Sequence, residues 1–190
     1  MQQITLRPTG PMRKASQPVS STLDMKVNSV MVIRKAYKVD VQEIWNIRSA
    51  AINSQCTGHY SPAELEIWTN GEVTEQFIEV VEDNFYVATL DGHIVGTGMF
   101  NIESGRVDAV FVHPARMRSG IGSQVLLHLE KLALVAGLNQ LSLDSTLNAV
   151  RFYRAHGFVG DSVAKYESPR GISLDCIPMI KKLHKTEENT

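Results

Sequence analysis

The apolar positions of the chain change their period several times, and each change marks an element. The run "MVIRKA", residues 31 to 36, reads as a first strand. Val41, Ile44, Trp45, Arg48, Ala51 and Ile52 then fall at helical spacing. "SPAEL" opens a second helix, with Ser61 as N-cap, Pro62 at the first helical position and Glu64 placed to complete a capping box. Val73, Phe77, Val80 and Val81 return to a period near 3.6 and predict a further helical piece.

Beyond residue 84 the period shortens. "NFYVATL" and "HIVGTGMF" flank Asp91-Gly92, a dipeptide favoured in two-residue hairpins, and "RVDAVFV" follows a Ser104-Gly105 turn, so three strands form an antiparallel meander. A long helix is expected from about 120 to 136, with Ile121, Val125, Leu129 and Leu132 on its sheet-facing side and Gln124, His128 and Lys131 opposite. "LSLD" is a short strand, "NAVRFYRAH" a helix closed by Gly157, and two more strands flank Pro169-Arg170-Gly171. This element order makes a mixed sheet with helices on its faces, of class α+β or α/β.

Composition narrows the partners. At 190 residues, with 43% hydrophobic and 21% charged, the chain fits one domain with a substantial core. Nineteen basic against twenty acidic residues leave a formal charge of -1, which gives no global field for nucleic acid or an anionic membrane. Any anion must be held locally, and neither of those partners is expected. Cys56 and Cys176 match no metal-ligand spacing and read as reduced core residues. His59, His93, His113, His128 and His156 form no spaced ligand set, so no metal is expected, although His113 lies close to the glycine turn described next. No apolar run approaches a membrane span, and a cytoplasmic protein is expected. Residues 1 to 30 carry Pro8, Pro11 and Pro18 and no acid before Asp24, and are expected to be a disordered or weakly ordered tail. The folded domain is placed at 31 to 182, with a polar tail over 183 to 190. A homodimer is left open.

The chemistry concentrates around "ARMRSGIGSQVLLHLEKLALVAG", residues 115 to 137. A strand ending in "VFV", a loop, Gly120, Gly122 and a helix start together make an anion cradle. The turn's N–H groups and the first unpaired N–H groups of the helix can point at the same oxygens, aided by the dipole. Arg116 and Arg118 add charge. An ordinary strand-to-helix turn with structural glycines is the other reading, and this motif alone leaves both open. A P-loop is excluded because no Gly-Lys-Ser/Thr follows, and a dinucleotide fingerprint because its third glycine position is Val125.

"VFVHPARMRSGIGSQVLLHLEKLA", followed after a short strand by "NAVRFYRAHGF", resembles the two central motifs of the GNAT superfamily of acyl-CoA-dependent N-acetyltransferases. The likeness runs over about 31 to 182 in element order and is sharp over 106 to 158. It implies an α+β GNAT fold, with a mixed, mostly antiparallel sheet of six to seven strands flanked by helices. It further implies acetyl-CoA as cosubstrate, a primary amine as acceptor and direct attack in a ternary complex. By this resemblance the turn formed by Met117, Arg118, Ser119, Gly120, Ile121, Gly122 and Ser123 binds the pyrophosphate. The edge at Val110, Phe111 and Val112 pairs with the pantetheine amides like an added strand. Asn148 and Phe152 complete the cofactor site, and Tyr153 protonates the departing thiolate. One position departs from the family pattern: Met117 stands where Gln or Arg is usual. The backbone donors survive that change.

Direct transfer needs a neutral amine, yet an alkylammonium of pKa about 10.4 is neutral in only about 1 part in 2,500 at pH 7, a cost of about 4.6 kcal/mol. Asp108 lies four residues before Val112, and strand alternation puts it on the face of Val110 and Val112 as a candidate base, directly or through water. A solvent-facing Asp is the alternative, and Glu167, Asp144 or a water chain are further candidates. An N–H near Val110 or Phe111, where this strand would splay from "LSLD", could hold the oxyanion. "GHYSPAEL" is placed at the acceptor pocket, with Tyr60 and Trp68 as contacts, core packing being the other reading of Trp68. Two rival functions stay open: a non-catalytic acyl-CoA-binding sensor on the same fold, and an interaction domain whose glycine turn is merely structural.

Overall fold

A computed structural model of the chain describes residues 30 to 168 and 171 to 184. The expected tails over 1 to 29 and 185 to 190, and Pro169-Arg170 of the predicted turn, lie outside the described residues.

Strand β1 (Met31–Lys35) precedes helix α1 (Val41–Gln55), and α2 (Pro62–Thr69) and α3 (Glu75–Asn84) follow. The start of α2 is the predicted capping box: Ser61 Oγ accepts from Glu64 N, and Glu64 Oε2 accepts from Ser61 N. The meander is β2 (Phe85–Leu90), β3 (His93–Asn101) and β4 (Arg106–Val112). Its first hairpin turns on Asp91 and Gly92, with φ of 52° and 81°, the two positive values that a type I′ turn needs. Helix α4 (Ile121–Val135), strand β5 (Gln140–Thr146), helix α5 (Val150–Ala155) and strands β6 (Ala164–Glu167) and β7 (Ser173–Lys182) complete the described elements. The strands form one seven-stranded sheet in the order β1-β2-β3-β4-β5-β7-β6, antiparallel at every pairing except β4 with β5.

Alternation along the strands assigns the two faces. Phe85 and Val87 of β2 point into a cluster with Val41 and Ile44 of α1 and Val81 of α3. Ala88, next along the strand, points the other way, into a cluster with Ile121 and Val125 of α4. Helix α4 buries a wider stripe than the four positions expected: Leu126 and Ala133 are fully buried, while Leu132 is only half-buried. Glu130 is also buried, because Lys181 of β7 reaches its carboxylate at 2.6 Å.

The helix lies close to the sheet because β3 has glycine beneath it. A Cβ on Gly96 would stand 2.7 Å from Ile121 Cγ2, and one on Gly98 would stand 2.7 Å from Val125 Cγ1 and 3.1 Å from Leu129 Cδ1. Such contacts force the helix outward, since a β-branched side chain in a helix has little rotamer freedom with which to yield. Gly98→Ala is therefore expected to lower folding stability by about 1–3 kcal/mol, read as a drop in the denaturation midpoint. An unchanged midpoint would mean that the spacing of α4 is not fixed by this strand.

Candidate active site

The parallel pair β4–β5 is registered only at Arg106 and Ser142. Past that point β5 keeps its partner β7 through Thr146, while β4 stays with β3 and leaves β5. This is the splay expected from the sequence. His113 N donates to Val95 O, so in the antiparallel ladder Phe111 and His113 turn their N–H groups toward β3. Val110 and Val112 then turn theirs into the opening.

At the head of α4 the donors are equally available. Arg118 (φ 61°) and Gly120 (φ 81°) both take left-handed backbone, and Gly120 is the N-cap. Gln124 N makes the first helical bond, to Gly120 O at 3.0 Å. Among the described residues no acceptor meets the N–H groups of Gly120, Ile121, Gly122 and Ser123. Ser119 uses its hydroxyl to close the loop onto Arg116 O at 2.5 Å, and His113 Nδ1 accepts from Ala115 N at 3.2 Å just before it.

A cleft of about 350 Å³ lies between these donors and the open edge of β4. Of the residues proposed for the cofactor, Val110, Phe111, Val112, Met117, Arg118, Gly120, Ile121, Gly122, Ser123, Asn148 and Phe152 all border it, and Ser119 alone does not. A Cβ on Gly122 would stand 3.5 Å from the Phe152 ring, so the head of α5 closes against the head of α4. The sequence reading missed the contribution of α1: Ala51, Ile52, Gln55 and Cys56 form the far wall. Cys56 Sγ lies 3.5 Å from Asn148 Oδ1, joining the end of α1 to the loop before α5. Burial pushes the Cys56 thiol up to about 11, so it stays protonated. No local pattern in α1 announces this wall, because its residues look like any buried helix face.

A second cavity, of about 440 Å³, lies where Asp108, Tyr60 and Trp68 come together. Val110, Phe111, Thr146 and Tyr153 border both cavities, which therefore meet through the gap between β4 and β5. Tyr153 is 8% exposed and wedged edge-on between Phe152 and Phe158, at centroid distances of 5.1 and 5.7 Å. Among the described residues nothing hydrogen-bonds its hydroxyl. Burial pushes this phenol above its ordinary value, so it is protonated across the physiological range.

Asp108 reaches the second cavity by a route that alternation did not predict. The β3–β4 register shifts at this point, with Met99 opposite Ala109 and Phe100 opposite Val107, so Asp108 is the extra residue of a bulge. The bulge reverses the parity of the strand. Val110 and Val112 pack toward Ile121 and Val125 of α4, whereas Asp108 sits beside Arg106 on the opposite face. Arg106 Nε donates to Asp108 Oδ1 and its Nη2 to Asp144 Oδ2, both at 2.6 Å. Burial disfavours the Arg106 charge, but these two carboxylates outweigh it and raise its pKa above the ordinary value. Asp144 thus joins Asp108, while Glu167 lies at the β6 edge and accepts from Ser173 Oγ.

Tyr60 borders the second cavity, but its hydroxyl is engaged within the protein. Its hydroxyl donates to Asp175 O at 2.7 Å and accepts from Leu147 N at 3.1 Å, tying β7 to the loop before α5. Burial pushes its pKa up to about 12. Trp68 packs edge-on against Tyr60 at 5.7 Å and is half-buried, so it is both a packing residue and a wall of the cavity.

The sheet thus opens between two parallel strands, with N–H donors at the cleft and a titratable cavity meeting it at the gap. Known proteins place it further. Residues 82 to 160 match the family model described as an acetyltransferase (GNAT) domain. The uncharacterized N-acetyltransferase YafP of Escherichia coli K12 is 25% identical over 126 residues, which are 66% of this chain and 79% of YafP. The GCN5-related N-acetyltransferase of Rhodopseudomonas palustris is 25% identical with a TM-score of 0.75, over 82% of this chain and 97% of that one. The PaiA N-acetyltransferase of Thermoplasma acidophilum, solved in complex with coenzyme A, has the same fold at 20% identity and a TM-score of 0.64, over 81% and 99% of the two chains. Residues 82 to 160 thus match a GNAT acetyltransferase domain, and the chain is similar in fold to GNAT N-acetyltransferases.

The Tyr60 bridge sets the shape of the opening and yields a direct test. Tyr60→Phe leaves the Leu147 N–H without its acceptor and is expected to lower stability by about 1–3 kcal/mol, measured by denaturant titration. No loss would show that the loop before α5 is held by other contacts.

Proposed function

We propose that the protein transfers an acetyl group from acetyl-CoA to a primary amine by direct attack. The observation that carries this reading is the meeting of two cavities at Tyr153, a buried phenol whose hydroxyl has no hydrogen-bond partner among the described residues. In this reading the diphosphate sits on the N–H groups of Gly120 to Ser123, where orphan donors and the dipole of a 15-residue helix act together. Arg116 and Arg118 supply the charge that Met117 does not. The pantetheine arm runs along the free edge at Val110 and Val112, beside Asn148 and Phe152.

The thioester carbonyl then lies in the gap between the strands, and the amine enters from the second cavity. An ammonium first gives up one proton, to Asp108 or to water. The neutral nitrogen forms its bond to the carbonyl carbon, and the oxyanion is held by the Val110 N–H. Collapse breaks the C–S bond; the thiolate takes a proton from Tyr153, and the nitrogen loses its second proton to restore that phenol. Amide, free thiol and one proton leave.

A saturating acetyl-CoA titration is expected to stabilise the protein by about 2.7 kcal/mol at one hundred times the dissociation constant, seen as a thermal shift. An interaction domain with a merely structural turn gives no saturable shift. Tyr153→Phe is expected to lower kcat by about 10²–10⁴ while acetyl-CoA still binds; a non-catalytic sensor shows binding and no thiol release with any amine. Because burial raises the pKa of Tyr153, its acid form persists through the ordinary phenol value of about 10, and kcat should not fall at or below that pH through loss of this group. A descending limb below it that disappears in Tyr153→Phe contradicts the assignment.

A further inference from the structure

The second cavity also carries information about the acceptor. We infer that it selects a cationic primary amine borne on an aromatic or bulky apolar body, and disfavours amines that carry a neighbouring carboxylate. The inference rests on the transferase reading above. Two features of the cavity support it independently.

The first is charge. Asp108 and Asp144 share the single guanidinium of Arg106. Asp108 Oδ1 and Asp144 Oδ2 make those bonds, and among the described residues the other oxygen of each carboxylate has no hydrogen-bond donor. The three groups are partly open, with side-chain exposures of 35% for Arg106, 28% for Asp108 and 24% for Asp144. Asp175, at the same cavity, is already matched by Lys165 at 2.7 Å. The trio therefore keeps one uncompensated negative charge, with two acceptor oxygens, beside the gap where transfer would occur. Tyr153, which is buried, borders the same space.

The second feature is the wall. Trp45, Trp68, Phe77, Phe111 and Tyr166 all line the cavity, so an ammonium at the carboxylates has aromatic surface around the rest of its bearer. Arg48 is the other cation at this cavity; its Nη2 donates to Trp68 O at 2.8 Å and its guanidinium lies over the Trp45 ring at 5.3 Å. A carboxylate on an acceptor whose amine reaches the trio is brought beside the uncompensated charge of Asp108 and Asp144.

The test compares phenethylamine, L-phenylalanine and L-glutamate as acceptors, with free coenzyme A detected by a thiol reagent and acetyl-CoA binding followed in parallel by thermal shift. Phenethylamine is expected to give a KM at least about tenfold below that of either amino acid, the scale of one hydrogen bond to a charged group. Asp144→Asn should erase that advantage through KM more than through kcat, and Asp144→Glu, which keeps the charge, should restore part of it. Preference for L-phenylalanine or L-glutamate overturns the inference while leaving the transferase intact. Acetyl-CoA stabilisation without thiol release from phenethylamine also overturns it. If acetyl-CoA gives no saturable shift, the transferase reading itself falls, and this inference with it.

Discussion

The molecule depends on two parallel strands letting go of each other. A sheet gains stability from each ladder bond that it completes, and unpaired N–H and C=O groups in its middle are costly unless something else meets them. Strands β4 and β5 are registered at one residue pair and then part. The gap is held by the surrounding framework. Each strand keeps a full antiparallel partner on its outer side, β3 for β4 and β7 for β5. The Tyr60 hydroxyl links β7 to the loop that leaves β5, and the rings of Phe152, Tyr153 and Phe158 fill the space behind it. Rigid flanks allow the centre to stay open without collapsing.

Opening the sheet turns a structural defect into binding capacity. The Val110 and Val112 N–H groups, which a closed sheet would have consumed, face the cleft. The head of α4 adds four more unpaired donors within the same cleft. Their position depends on how closely α4 lies on β3, and that distance is fixed by Gly96 and Gly98. The glycines of the turn and those of the strand thus act at two levels: the former shape the backbone at the cleft, and the latter bring close the helix that carries it.

Much of this was legible in the sequence, because its signals are local. The capping box at Ser61, the Asp91-Gly92 hairpin and the glycine turn before α4 each depend on a few adjacent residues, and each has the predicted geometry. The parts that were not legible depend on long-range geometry. The bulge at Asp108 is a one-residue offset between β3 and β4, and alternation counted along a single strand cannot reveal it. The α1 wall of the cleft, and the use of the Tyr60 hydroxyl as a tie between β7 and the loop after β5, likewise join residues far apart in the chain. The burial of Glu130 likewise depends on a partner, Lys181, that lies 51 positions away.

The same offset decides which face Asp108 occupies. Without the bulge, alternation would direct Asp108 toward α4, into an apolar layer where an unpaired carboxylate is strongly disfavoured. With it, Asp108 lies on the face of Arg106 and Asp144, and a single guanidinium steadies two carboxylates without neutralising both. The cavity then holds these two carboxylates beside the gap, while the cleft presents N–H donors and arginines. Tyr153 borders both the cavity and the cleft, at the gap where they meet. In the proposed reading, an anionic donor would be drawn to the N–H groups of the cleft and a cationic acceptor to the carboxylates, so the two substrates would be ordered across the gap before any bond changes.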